Sequence, residues 1–252
     1  MAEQRILDAH AHLAPGPDAT ERILTSMKTH GIERTIVVAG AAISPDQLSR
    51  QIIEGGHIES DAHNDAVLEG CARSDGRLIP FYFANPHRVA SAYRARAHQF
   101  RGLKLAPGVH GVPLNDPRTS ALVEVAADIG HHVYLHCLQR AGFGVRDLVR
   151  LAGRYRHVTF VLGHAGVGDL DFYGIDLIEP LDNILFETSG GYTSVVRAAM
   201  DRLGPRRVLF GSEYPLQSPA VELAKFEALD IPPDEWNLIA WENAIRLIGE
   251  AP

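Results

Sequence analysis

Cysteine is nearly absent: Cys71 and Cys137 are the only two in 252 residues. A disulfide framework is therefore excluded as the source of stability, and a reducing cytoplasm is the expected location. The opening MAEQRILDAH runs straight into an apolar strand and carries no secretion-signal pattern. No apolar run is long enough to span a bilayer. Positive charge is also scarce, with 24 Lys and Arg against 31 Asp and Glu and a formal net charge of -7. That balance argues against nucleic acid or an anionic membrane as a partner and leaves a small molecule. No low-complexity stretch and no linker divides the chain, and no Gly-rich phosphate loop follows the first apolar run, which counts against a doubly wound dinucleotide fold.

What is present is a regular alternation. Eight short, β-rich apolar runs lie at 5–10, 34–40, 77–83, 101–106, 132–137, 158–164, 183–189 and 207–213. Near-continuous hydrophobicity of this kind marks parallel strands buried on both faces. Helical stretches separate the runs, and those ending at Gly31 and Gly130 have the expected C-terminal glycine. Eight strand–helix repeats in this length predict one domain over 1–252, an α/β fold of the (β/α)8 TIM-barrel type. The stretch 232–249 predicts a terminal helix pair that caps the barrel. The insert 41–60, after the second run, is long and irregular and is expected to overhang the mouth as a lid.

Function in such a barrel gathers at the C-terminal strand ends. There the sequence places His10 and His12 on the first run, His136 on the fifth, His164 on the sixth and Glu213 on the eighth. Asp8, His10 and His12 alternate, so a regular strand presents all three on one face. Imidazoles and a carboxylate converging at one mouth suit a single divalent ion, zinc first and manganese second, with a position open for water or substrate. The remaining nine histidines fall mostly in helices, loops or strand starts, although His57 in the insert and His110 after the fourth run stand close enough to overhang the site. Lys104, inside an otherwise apolar run, is expected to point inward, either to meet a substrate anion or as a structural contact. Glu187 and Ser189 share a face and serve either substrate and Glu213 or an internal ion pair with Lys104. Arg140 is a candidate carboxylate anchor or a plain surface residue. Cys137 alternates away from His136 and should pack, and Tyr214 either closes the pocket or packs.

Several blocks in order, DAHAH (8–12), RLIPFYFANP (77–86), RGLKLAPGVHGVPLNDP (101–117), VYLHC (133–137), FVLGHAG (160–166), LFETSGG (185–191), VLFGSEYP (208–215) and ENAIRLIG (242–249), resemble the amidohydrolase superfamily. The resemblance is to the amidohydrolase-2 branch that includes aminocarboxymuconate-semialdehyde decarboxylase. It implies that His10, His12 and His136 bind the metal, that His164 orients or deprotonates the metal-bound water, and that the strand-eight acid is a ligand or proton shuttle. It also implies a homodimer. One departure stands out: the branch pattern is G-[ST]-D-[YFW]-P, and this chain has GSEYP, with Glu213 one methylene longer than aspartate. The expected activity is metal-dependent hydrolysis of an amide, ester or lactone carbonyl. The alternatives are non-oxidative decarboxylation of an unsaturated or aromatic acid and, from another class, a non-catalytic ligand-binding barrel.

Overall fold

A computed structural model describes residues 5–251. Its strands are β1 (Leu7–Leu13), β2 (Arg34–Ala39), β3 (Leu78–Pro80, resuming as Tyr82–Phe83), β4 (Gly102–Leu105), β5 (His132–Leu135), β6 (Phe160–Leu162), β7 (Ile184–Glu187) and β8 (Val208–Leu209). All neighbouring pairs are parallel. The two halves of β3 are joined through Phe81, whose N–H reaches Val37 O at 2.9 Å. The ring closes between β1 and the end of β8 through Ala9 N to Phe210 O, Glu213 N to His10 O and His12 N to Tyr214 O. The chain is thus an eight-stranded parallel barrel wrapped in helices, as the alternation predicts.

Two apolar layers result. Leu7, Ala9, Ile36, Val38, Ile79, Phe81, Tyr134, Val161 and Leu209 fill the barrel, and a larger cluster packs between strands and helices. Trp241, Ala244, Ile245 and Ile248 join the inner cluster, and Arg5, two residues before β1, lies 3.5 Å over the Trp241 ring. The C-terminal segment therefore plugs the end opposite the histidines. It is not a helix pair: Pro233–Asn237 continues through a π turn, Leu238–Glu242, into Asn243–Leu247. The Ile239 carbonyl inside that turn accepts the Phe210 N–H at 3.1 Å, tying the plug to β8.

The strands are shorter at their tips than the apolar runs, except β1, which extends through His12. Beyond β6 and β8 the backbone turns left-handed, at φ 57° for His164 and 61° for Glu213. Those values are uncommon outside glycine and end regular pairing. The insert is not irregular either. It holds a helix, Pro45–Glu54, started by a proline in its first turn and by Ser44, whose side chain accepts Gln47 N–H. Among the described residues no helix is long and apolar enough to cross a membrane.

One buried contact makes the fold acid-sensitive. Tyr93 is buried and its hydroxyl lies 2.7 Å from His131 Nδ1, to which it donates when that nitrogen is unprotonated. Burial, with His132 beside it, pushes His131 down to about 4. Because the folded value lies below the unfolded one, protons bind the unfolded chain first, and stability drains away as pH falls from about 6.5 towards 4. The thermal midpoint should drop between pH 7 and pH 5. His131→Gln should flatten that slope by the equivalent of on the order of 1 kcal/mol, measured by calorimetry across the range.

Candidate metal centre and active site

The site is built where the barrel closes. The pairing of β1 with β2 slips register between Asp8 and Ala11. Such a bulge breaks strict alternation and re-aims side chains. Leu7 and Ala9 pack inside the barrel, Ala11 and Leu13 pack outside, and His10 and His12 turn to the mouth. Asp8 does not share their face in function, contrary to the alternation. Its carboxylate accepts Ser212 N–H at 2.9 Å, the Ser212 hydroxyl and His10 N–H at 3.1 Å. Asp8 is thus the clasp between the first and last strands, and it positions Glu213 next to Ser212.

Glu213 reaches the histidines of β1 on both oxygens. His10 Nε2 lies 3.1 Å from Oε2 and His12 Nε2 3.2 Å from Oε1. A metal with bonds of ~2.1 Å holds neighbouring donors ~3.0–3.4 Å apart, so these separations match a shared ion. The chemistry agrees. Glu213 Oε2 is buried without a hydrogen-bond partner. His12 Nδ1 lies 3.4 Å from Ala39 O, a contact that places its proton on Nδ1 and frees Nε2 as a ligand. Burial, assisted by Lys104, pushes His10 down to about 3 and His136 to about 4. Burial acts to raise Glu213, but the imidazoles of His164, His10 and His12 outweigh it and hold the carboxyl well below the usual range. Imidazole nitrogens gathered around a carboxylate are the donor set a divalent cation requires. His10, His12 and Glu213 form the tight group; His136 lines the same cavity beside His164, ring centroids 4.7 Å apart, with its nitrogens outside that group.

Behind the donors runs a relay on Glu187. Its oxygens accept Tyr134 Oη at 2.6 Å, Ser189 N at 2.6 Å, Ser189 Oγ at 3.0 Å and His164 N at 3.0 Å. Every side of this buried carboxylate is occupied by the protein, so Glu187 does not bind substrate. It forms no ion pair with Lys104 either. Because the Ser189 hydroxyl donates to Glu187, its oxygen accepts from His164 Nδ1 at 3.0 Å. That contact fixes the His164 proton on Nδ1 and leaves Nε2 as the free base. Two glycines permit this crowding. A Cβ on Gly163 would fall 2.3 Å from Tyr134 Oη, and one on Gly211 2.2 Å from Glu187 Oε1. The LGHAG and FGSEYP blocks need glycine there for that reason.

Lys104 does point inward. Its ammonium lies 3.4 Å from His10 Nε2 and 4.0 Å from the Tyr134 ring centroid, and burial pushes it down to about 8. The cavity in front of these groups has a volume of about 840 Å³. Its walls are mostly apolar: Ile43, Leu48 and Ile52 of the insert, Phe83, Val109 and Leu216. Among the described residues, Lys104 is the only lysine or arginine that lines it. Arg140 is not a substrate anchor here; its guanidinium caps the insert helix from outside, donating to Gln51 O and Ile52 O at 3.3 Å. His57 and His110 do not reach the cavity, since His110 is buried against Phe83 and His57 stacks on His87. Cys137 is packed and burial pushes its thiol up. Tyr214 packs at the seam, its carbonyl accepting His12 N–H. Tyr134, Ser212 and Gln217 join the site without having been read from the sequence. Tyr134 had a signal, lying two residues before His136 in the same apolar run.

The fold and donor set define a TIM-barrel enzyme class whose chemistry sits on strand-end histidines and an acid. The chain belongs to the amidohydrolase family, whose model, described as Amidohydrolase, matches residues 7–249. Comparison with curated proteins returns no match. Among solved structures it is similar to 5-carboxyvanillate decarboxylase from Novosphingobium aromaticivorans DSM 12444, complexed with manganese and 4-hydroxy-3-methoxy-5-nitrobenzoic acid. The identity there is 16%, the TM-score 0.74, and coverage 97% of this chain and 96% of that one. A candidate 2-pyrone-4,6-dicarboxylic acid hydrolase from Pseudomonas putida is 21% identical, TM-score 0.74, covering 98% of each chain. The 2,6-dihydroxybenzoate decarboxylase from Rhizobium is 18% identical, TM-score 0.71, covering 98% and 99%. At these identities the likeness establishes the fold, which hosts both hydrolases and decarboxylases.

Two outcomes test the site. Asp8→Ala removes the clasp and leaves the Ser212 donors buried and unpaired, and should cost about 3 kcal/mol in urea unfolding; Asp8→Asn, whose amide oxygen can still accept the Ser212 and His10 N–H groups, should cost less. Elemental analysis of protein purified without chelator should find about one equivalent of zinc or manganese. His12→Ala and Glu213→Gln should each weaken binding by at least the roughly 10–100-fold that loss of an outer partner costs.

Proposed function

We propose that this protein hydrolyses an ester, lactone or amide carbonyl in a small, largely apolar substrate. The observation that carries the proposal is the approach of Glu213 to His10 and His12, at 3.1 and 3.2 Å, on the floor of an otherwise apolar cavity. His10, His12 and Glu213 would hold a divalent ion, zinc or manganese, which supplies Lewis-acid polarisation and acidifies water. The protein's own residues do the rest. His164, its Nδ1 proton held by Ser189, presents Nε2 to take the proton from the attacking water. Lys104, protonated at neutral pH, donates to the carbonyl oxygen as charge gathers there. His164 then returns the proton to the leaving group. The insert helix and Leu216 cover the apolar body of the substrate and exclude bulk water. The single ammonium and the lack of a lining arginine favour one anionic or carbonyl head over a dicarboxylate. Two free cysteines fit a cytoplasmic setting.

A second reading, non-oxidative decarboxylation of an aromatic or unsaturated acid, is favoured by Lys104, whose ammonium can hold a carboxylate and protonate the carbon that loses CO₂. A ligand-binding barrel has no chemical use for this donor set. A panel of aryl esters, lactones and aromatic acids, followed for both acid and CO₂ release, separates the readings. Hydrolysis that falls about 10²–10⁴-fold in His164→Asn supports the proposal. CO₂ release without hydrolysis replaces it with the second reading, and turnover indifferent to His164→Asn refutes the assigned base.

A further inference from the structure

A second gathering of metal-ligating side chains lies outside this site, at the root of the insert. The insert helix Pro45–Glu54 ends in Gly55 and Gly56, at φ 90° and 109°, a backbone that side-chain-bearing residues rarely adopt. His57 and Glu59 follow at once. His57 Nε2 lies 3.4 Å from Glu59 Oε1, and His87 Nδ1, from the loop after β3, lies 4.0 Å from the same oxygen. The two imidazoles stack with centroids 5.3 Å apart at 18°.

We propose that His57, Glu59 and His87 form a second divalent-metal site, of zinc-like preference, that clamps the root of the insert to the loop after β3. Its donors are held in place independently of any ion. His87 Nε2 donates to His110 O at 2.8 Å, which fixes the proton there and leaves Nδ1 unprotonated on the side of Glu59. A carbonyl behind the second ring nitrogen is the arrangement found at metal-ligating histidines. The His57 end is braced by Ile58 N to Val109 O at 3.0 Å. It is braced also by Gly111, whose left-handed turn passes so close that a Cβ there would lie 2.7 Å from His57 Cβ. Asn85 anchors the Glu59 carbonyl at 2.9 Å. Two imidazoles and one carboxylate favour zinc, cobalt, nickel or copper over calcium or magnesium, which want oxygen donors.

One group opposes the ion. Arg118, bound to Asp116 at 2.9 Å, also places Nη1 3.4 Å from His87 Nδ1. A cation must displace that contact and then sits near a fixed positive charge, which weakens its binding. The donors come from two segments, so occupation restrains the hinge at Gly55 and Gly56. The insert helix that lines the cavity through Leu48 and Ile52 is then tethered at its base.

The test is a calorimetric titration of the full, chelator-stripped chain with zinc alone. We expect one micromolar equivalent that persists in His12→Ala, weakens at least tenfold in His57→Ala, His87→Ala and Glu59→Gln, and tightens severalfold in Arg118→Gln. Hydrogen exchange over 45–60 should slow when that equivalent binds. Using His12→Ala separates this site from the barrel centre, whatever the barrel centre binds, and the surface position of Glu59 keeps one variant free of folding effects. The proposal is overturned if His12→Ala takes up no zinc. It is equally overturned if the equivalent survives His57→Ala, His87→Ala and Glu59→Gln, or if Arg118→Gln binds no more tightly.

Discussion

Closure of the barrel between β1 and β8 is the constraint on which the site depends. Asp8 and Ser212, 204 residues apart, are joined by a buried carboxylate that accepts both the backbone and the hydroxyl of its partner. Backbone bonds beyond that clasp hold His10 to Glu213 and His12 to Tyr214. With the seam shut, a bulge in β1 and a left-handed turn at Glu213 are enough to set a carboxylate about 3 Å from two imidazoles. Neither feature is cheap: the bulge forfeits ladder bonds, and a non-glycine residue at positive φ costs on the order of 1 kcal/mol. They persist because the rest of the barrel over-determines the geometry.

The extra methylene of Glu213 reads differently in this light. In a seam held at this distance, a longer acid does not need to retreat from the histidines. Its left-handed backbone lets both oxygens face them, one towards His10 and the other towards His12. The glutamate is therefore compatible with an intact donor set. Glu187 does the complementary work behind the wall. It is buried and saturated by Tyr134, Ser189 and His164, and it fixes the proton position on His164 through Ser189 rather than meeting a ligand. Its burial raises it, while those donors oppose the rise. A buried acid with four partners is a rigid support.

The cavity owes its character to the insert and to what Arg140 does not do. By capping the C-terminal carbonyls of the insert helix from outside, Arg140 braces that helix over the donors and keeps its own guanidinium out of the cavity. Lys104 is left as the lone ammonium, sandwiched against Tyr134. Selectivity then rests on apolar shape with one polar end.

The strand–helix alternation, the single barrel and the strand-end positions of His10, His12, His136, His164 and Glu213 were legible in the sequence. They follow from local patterning: buried parallel strands must be apolar, and polar residues that end such runs must sit at a barrel mouth. The inward direction of Lys104 was legible for the same reason. The sequence alone also shows GSEYP in place of the aspartate pattern, but not what the longer acid does. Only the tertiary structure decided that Asp8 clasps the seam instead of joining its histidines, because a bulge breaks an alternation that the sequence presents as regular. Only it decided that Glu187 and Arg140 serve the protein and not a substrate, since a charged side chain near a strand end has several partners within reach. Which of them it meets is set by loops whose paths come from packing, and no local pattern encodes those paths.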